Sequence, residues 1–323
     1  MNTLDNMTKE QARLSEGSAP EPGVGALAWP TQTARLAVFI VALAAVFALP
    51  LIHLARFSWY SLLFSYIPFV PFMSASLIGM NRERLPQRTT RGWTGALFCL
   101  VAGLGLLAIY WATIHAGANL GETQRLAFTT TAFLLLLLAA AFFLFGADFM
   151  RAIAFPVAFC FFVVPFPNVL LDPVIQFLRT TSIWVAHAFL LVARTPSVVN
   201  GTTLVLPNTS LEVTPECSGF HAAIALILTA LFAGHLFLRS AWHRLWFALA
   251  VVPLGVARNG FRIFVLSEMC VHQGPQALES PIHSQGGKLF FALSLIPLFL
   301  FLVILHKAEK RRQDALETAK IPA

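Results

Sequence analysis

The feature that most restricts this chain is a recurrence of apolar runs of about twenty residues, parted by short polar breaks, along most of its length. A helix of that length crosses the roughly 30 Å hydrocarbon core of a bilayer. In lipid every backbone N–H and C=O must be satisfied within the segment, which leaves helices as the spanning element for runs like these. The fold class expected is therefore an all-α polytopic membrane protein. Of the 323 residues 57% are hydrophobic and only 11% charged, against about 25% charged in an ordinary soluble domain. Eight spans are expected, near 36–54, 58–80, 93–115, 126–146, 152–167, 217–238, 245–267 and 284–306, with a tight reverse turn at Ala55–Phe57. Residues 1–33 read as a disordered cytoplasmic tail, 34–308 as an integral membrane domain, and 309–323 as a basic cytoplasmic tail.

The formal net charge is +7. On a soluble protein such an excess suggests a nucleic-acid partner. Here it is concentrated in short loops: Arg82, Arg84, Arg88 and Arg91; Arg239 and Arg244; and Lys307, Lys310, Arg311 and Arg312 after the last apolar run. Short basic loops stay in the cytoplasm, so the charge marks topology, with membrane lipid and no nucleic acid as partner.

That bias constrains the segment NVLLDPVIQFLRTTSIWVAHAFLLVAR, residues 168–194. If both 152–167 and 168–194 crossed, the Arg239–Arg244 loop and the Lys307–Arg312 tail would lie outside. Asp172, Gln176, Arg179, Thr180, His187 and Arg194 recur at helical spacing as one polar stripe. The expectation is an interfacial or re-entrant helix on the outer face, which leaves eight crossings and both termini inside. Pro165, Pro167 and Pro173 break the chain before it. In the following PSVVNGTTLVLPNTSLEV, Asn200-Gly201 is a turn signal, and Thr202–Leu206 and Ser210–Val213 are β-rich runs joined at Pro207-Asn208. Residues 168–216 thus read as an extracytoplasmic helix and short β-hairpin that deliver the chain to Cys217.

The same parity brings three reactive side chains to the outer ends of the last three spans: Cys217, Arg262 and His283. Ionisable groups in membrane helices are costly and mark functional sites. Arg258 and Arg262, spaced i and i+4, form one stripe with Asn259 beside it. The thiolate is the nucleophilic form of cysteine, and a neighbouring cation and a helix N-terminus both favour it. Gly219 allows close approach of a substrate backbone, and first-turn N–H groups can hold an oxyanion. Arg262 can stabilise the same developing charge, and His283 can protonate the leaving amine. His221, four residues after Cys217, would share its helical face and rivals His283. Cys99 and Cys160 sit in apolar runs as packing residues, while a Cys217–Cys270 disulfide is conceivable in an oxidising compartment. No HExxH, P-loop or GxGxxG occurs, and no cofactor or metal is expected.

From Phe155 to Phe290, the pieces FPVAFCFFVVPFPNVLLDPVIQFLR, ECSG, PLGVARNGFRI and HSQGGKLF, in that order, resemble the exosortase/archaeosortase family of multi-pass membrane cysteine enzymes. The resemblance implies Cys217 as nucleophile, Arg262 as the arginine of N-x-x-R and His283 as the histidine, in preference to His221. Asn259, Ser218, Gly219 and His221 are supporting residues. It further implies a protease or transpeptidase at the outer face of a prokaryotic cytoplasmic membrane. Its substrates would be exported proteins ending in a short motif such as Pro-Glu-Pro, a membrane helix and a basic tail, with the acyl group passed through a Cys thioacyl enzyme to an unidentified acceptor. Glu216 stands where a small residue is more usual. The alternative from another class is a transporter or lipid-handling protein in which Arg262, His283 and the 168–194 stripe line a polar path. Such a protein has no use for the thiol of Cys217.

Overall fold

The computed structural model describes residues 28–61, 63–82, 85, 86, 92–207, 209–274, 276 and 281–318, with the side chains of 28–30, 216, 281–286, 316 and 317 excepted. Ten helices are described: α1 Ala28–Val46, α2 Ala48–Tyr60, α3 Phe69–Met80, α4 Trp93–His115, α5 Glu122–Ala152, α6 Ala154–Cys160, α7 Asn168–Val192, α8 Phe220–Phe237, α9 Ala241–Gln273 and α10 Pro281–Thr318. The strands are β1 Val198–Asn200, β2 Thr203–Leu206 and β3 Thr209–Glu212. Among the described residues six helices are long and apolar enough to cross a membrane: α4, α5, α7, α8, α9 and the Gly287–Ala315 part of α10. A seventh candidate is the bent pair α1 and α2, which meet at 78°.

The expected spans differ from the helices in instructive places. No turn occurs at Ala55–Phe57; α2 runs through it, and the bend falls at Phe47 instead. The run expected over 58–80 is divided by non-helical residues at 61 and 63–68. Proline at 68 and 71 lets a helix start here, because Pro is tolerated in a first turn and not in a helix interior. Residues 152–167 are not one helix either: α6 tightens to a 3-10 turn at Phe161–Val163 and stops before Pro165. The spans expected at 126–146 and 152–167 are parted at Gly146, whose φ of 82° and ψ of 177° interrupt α5 in a conformation open only to glycine. Helix α10 continues to Thr318, into the basic segment.

Contacts group the chain into two compact units. The first comprises the chain up to Ile52, Ser74–Leu120 and Phe128–Phe161. It has two apolar clusters, one around Phe145, Phe149, Met150 and Ile153, the other around Leu43, Phe47, Ala132 and Leu136.

The second comprises His53–Met73, Gly121–Ala127 and the chain from Phe162. Helices α8, α9 and α10 pack around Leu226, Phe247, Val251 and Leu298. On α7 a buried face of Leu171, Ile175, Leu178, Ser182, Ala186 and Leu190 recurs at helical spacing. It meets α9 where Gly260 lies so close that an added Cβ would be 2.5 Å from Val185 Cγ1 and 3.0 Å from the Ser182 carbonyl. The polar stripe of α7 holds the connector: Arg179 Nε donates to the Val213 carbonyl at 2.7 Å, and His187 Nδ1 lies 2.8 Å from Ser197 Oγ.

The connector carries three antiparallel strands in the order β1-β2-β3, one more than expected. Asn200 pairs with Thr203 and Leu206 with Thr209, so both hairpins close with two-residue loops. Leu204, Leu206, Leu211 and Val213 pack with Ile183, Leu190 and Ile263 in one core. The start of α9 is capped from α10: Glu309 accepts the N–H groups of Arg239 and Ser240, both at 2.9 Å, and lies 2.8 Å from His243 Nδ1.

Candidate active site

Cys217 does not begin α8. It lies in a 3-10 turn, Pro215–Ser218, and Gly219 follows in the left-handed region with φ 80° and ψ 4° before α8 starts at Phe220. Three groups fix this turn. The Cys217 N–H donates to the Thr214 carbonyl at 3.0 Å. The buried Ser218 Oγ accepts the Phe220 N–H at 3.2 Å, satisfying one of the donors that a helix start leaves open. From α9, Asn259 Nδ2 donates to the carbonyls of Cys217 at 3.2 Å and Ser218 at 2.9 Å. Asn259 is 1% exposed, and a Cβ on Gly219 would fall 2.6 Å from its Cγ. Glycine is therefore required here twice, by the positive φ and by the amide pressed against it.

Arg262 follows Asn259 by three residues, on the same side of α9. Cys217 and Arg262 line one small cavity with Leu211, Glu212, Val213, Ile263 and Leu266. Its volume of about 30 Å³ is room for a water or a carbonyl oxygen, and a peptide can only lie across its mouth. The thiol is free and partly exposed, and Cys270 is free and buried, so the conceivable disulfide between them is not formed.

His221 and Cys217 do not share a helical face as their spacing suggests, because the left-handed Gly219 rotates the chain between them. His221 is absent from the residues lining the cavity; its Nε2 lies 2.8 Å from Ser65 Oγ, in the non-helical stretch before α3. Arg258 diverges from Arg262 and lines a separate cavity of about 150 Å³ with Leu254, Phe261, Phe290, Leu293, Ser294 and Pro297. Arg258 Nη2 donates to the Gly287 carbonyl at 2.7 Å. That bond ties α9 to α10 one turn beyond His283, whose own side chain lies outside the described residues.

Residues 58–300 match the family of transmembrane exosortases. The chain belongs to that family. No curated protein and no solved structure matches it. Exosortase membership accords with the six membrane-length helices and implies a multi-pass membrane enzyme that processes sorting signals on exported proteins. Within this exosortase, Cys217, Ser218, Gly219, Asn259 and Arg262 are drawn together around one turn and one cavity. The sequence did not point to the Ser65 contact or the Arg258 tie. A polar residue beside Pro68 in an apolar run, and an arginine with glycines one helix away, are the signals that carried them.

Proposed function

We propose that this exosortase is a cysteine protease or transpeptidase that cleaves C-terminal sorting signals of exported proteins at the outer face of the cytoplasmic membrane. The observation that carries this reading is the shared cavity of Cys217 and Arg262, contributed by different elements and joined through Asn259. The Cys217 thiolate attacks the carbonyl carbon of the scissile bond. Its oxygen gains negative charge beside the fixed cation of Arg262. The C–N bond then breaks as His283 gives a proton to the leaving amine. The thioacyl enzyme that remains is attacked by the acceptor, which loses a proton to His283 and releases Cys217 as thiolate.

The topology that suits this chemistry places the start of α4 and the end of α10 in the cytoplasm, with the six membrane-length helices crossing between them, and it makes one change from the sequence expectation. One crossing is needed between Arg151 and Cys217. The ten residues of Ala154–Val163 reach about 15 Å, half the hydrocarbon core, whereas the twenty-five of α7 reach about 37 Å. Helix α7 therefore takes the crossing assigned to 152–167, and it holds the connector through Arg179 at its middle and His187 nearer its C-terminal end.

The test is Cys217→Ala in cells co-expressing a tagged exported protein of the same host that ends in a short motif, one membrane helix and a basic cluster. Processing is expected to stop while the enzyme stays in the membrane. Normal processing in that variant would refute the assignment and favour a transporter. Separate His221→Ala and His283→Ala variants decide the proton donor, with loss of turnover expected for His283.

A further inference from the structure

The cavity beside Cys217 is too small for a peptide, so something outside it must hold the substrate chain in line. Strand β3 ends five residues before Cys217, and its last two residues, Leu211 and Glu212, line that cavity. In an antiparallel pair, residues alternate between those that bond to the partner strand and those whose N–H and C=O point away. The Val213 N–H donates to Thr202 at 3.0 Å, and Leu206 and Thr209 close a two-residue hairpin. Thr209, Leu211 and Val213 therefore face β2, and Ser210 and Glu212 turn their N–H and C=O to the opposite side. Among the described residues no strand pairs with that side. Ser210 and Glu212 are both exposed. The ladder closes at Val213, whose carbonyl is taken by Arg179. The open groups are thus those of Ser210 and Glu212, and Glu212 itself lines the cavity.

We infer that the outer edge of β3 is the substrate-docking strand. The extended stretch of an exported protein, just before its membrane helix, adds to the sheet as a fourth strand at Ser210 and Glu212, laying its scissile carbonyl over the Cys217–Arg262 notch. An exposed edge with unpaired backbone groups is a template for an added strand, and such pairing reads the backbone with pockets reading alternate side chains. The notch of about 30 Å³ has room for a carbonyl oxygen, and a peptide extended along β3 would lie across its mouth. This inference rests on the cysteine-peptidase reading above.

The experiment uses the full chain in its native membrane with the same tagged host substrate. Ser210→Pro and Glu212→Pro each delete one outward N–H and leave the bonds to β2 intact, as proline does on a sheet edge. Each is expected to slow processing about tenfold, the effect of a lost hydrogen bond in a desolvated complex. Val199→Pro deletes an outward N–H from the opposite edge, on β1, and is expected to process within about twofold of wild type. Where a proline variant fails to accumulate, Ser210→Cys in a Cys217→Ala background gives a second measurement. Disulfides to a cysteine scanned through the substrate are expected at every second position, the period of a paired strand. Wild-type rates in both β3 proline variants refute the docking strand, as do unpatterned cross-links or cross-links between two copies of the enzyme without substrate. Persistent processing in Cys217→Ala refutes instead the reading underneath.

Discussion

Gly219 and Asn259 make a coupled pair whose energy can be worked out from their geometry. In Gly219→Ala the new residue keeps a φ of 80°, a left-handed conformation that costs an L-residue about 1–2 kcal/mol. Its Cβ would also stand 2.6 Å from Asn259 Cγ and 2.8 Å from Oδ1, so the amide must move. Moving it breaks both bonds to the Cys217 and Ser218 carbonyls, at about 1 kcal/mol each. The single variant should lose about 3–4 kcal/mol. Asn259→Ala removes the same two bonds and should lose about 2 kcal/mol. In the double variant the amide is already gone; only its Cβ remains, 3.0 Å away, and Gly219→Ala adds little beyond the left-handed strain. The double variant should therefore lose about 3–4 kcal/mol in place of the 5–6 of an additive pair, a coupling of about 2 kcal/mol. Unfolding free energies from detergent titration in mixed micelles read this directly. Losses that sum to within about 0.5 kcal/mol would show that the two residues act independently and that the turn is not held from α9.

Three further outcomes follow from the packing and topology. Phe166→Cys, between α6 and α7, should resist a membrane-impermeant thiol reagent applied from outside and react once the cytoplasmic face is opened; outside labelling of intact cells would restore the crossing to 152–167. Gly260→Ala forces a Cβ against Val185 and the Ser182 carbonyl and should destabilise by about 1–3 kcal/mol. Gly105→Ala, in α4 with no atom within 4 Å, should raise stability by up to about 1 kcal/mol; equal thermal midpoints for the two would refute close packing of α7 on α9. Glu309→Ala leaves the N–H groups of Arg239 and Ser240 and the ring of His243 without their acceptor and should lose about 2–3 kcal/mol, read as a lower melting midpoint in detergent.

What the sequence made legible, and what it hid, divides along a physical line. Hydropathy reports where chain can be buried in lipid and says little about where a helix inside an apolar run breaks. The break at 63–68 and the end of α6 both lie in such runs, and only their prolines and serines mark them. The β-connector was readable because turn chemistry is local: Asn200-Gly201 sits at one hairpin, though the strand before it, β1, was missed. Cys217 and Arg262 were placed at the same face by counting crossings, and they line one cavity. The pairing of Cys217 with His221 failed because an i, i+4 rule holds only inside a continuous helix, and Ser218-Gly219 ends one turn and starts another.

The same turn explains why the thiol is not simply the first residue of α8. A cysteine inside the first helical turn would have its backbone set by the helix alone, and its sulfur would follow every tilt of α8. In the 3-10 turn its carbonyl is instead bound by Asn259 of α9, one helical turn from Arg262. The position of the sulfur is thereby referred to the helix that carries the guanidinium, and motions of α8 and α9 cannot separate the two without breaking buried hydrogen bonds. A group that must stabilise charge developing near the sulfur is effective only when the geometry is already in place before the reaction. Asn259 supplies that fixed reference, and its replacement by Asp separates this role from mere packing. The carboxylate has nearly the same shape but cannot donate to the two carbonyls. Asn259→Asp should therefore lower the turnover rate far more than substrate binding, while a variant with unchanged turnover would leave the amide no part in positioning the thiol.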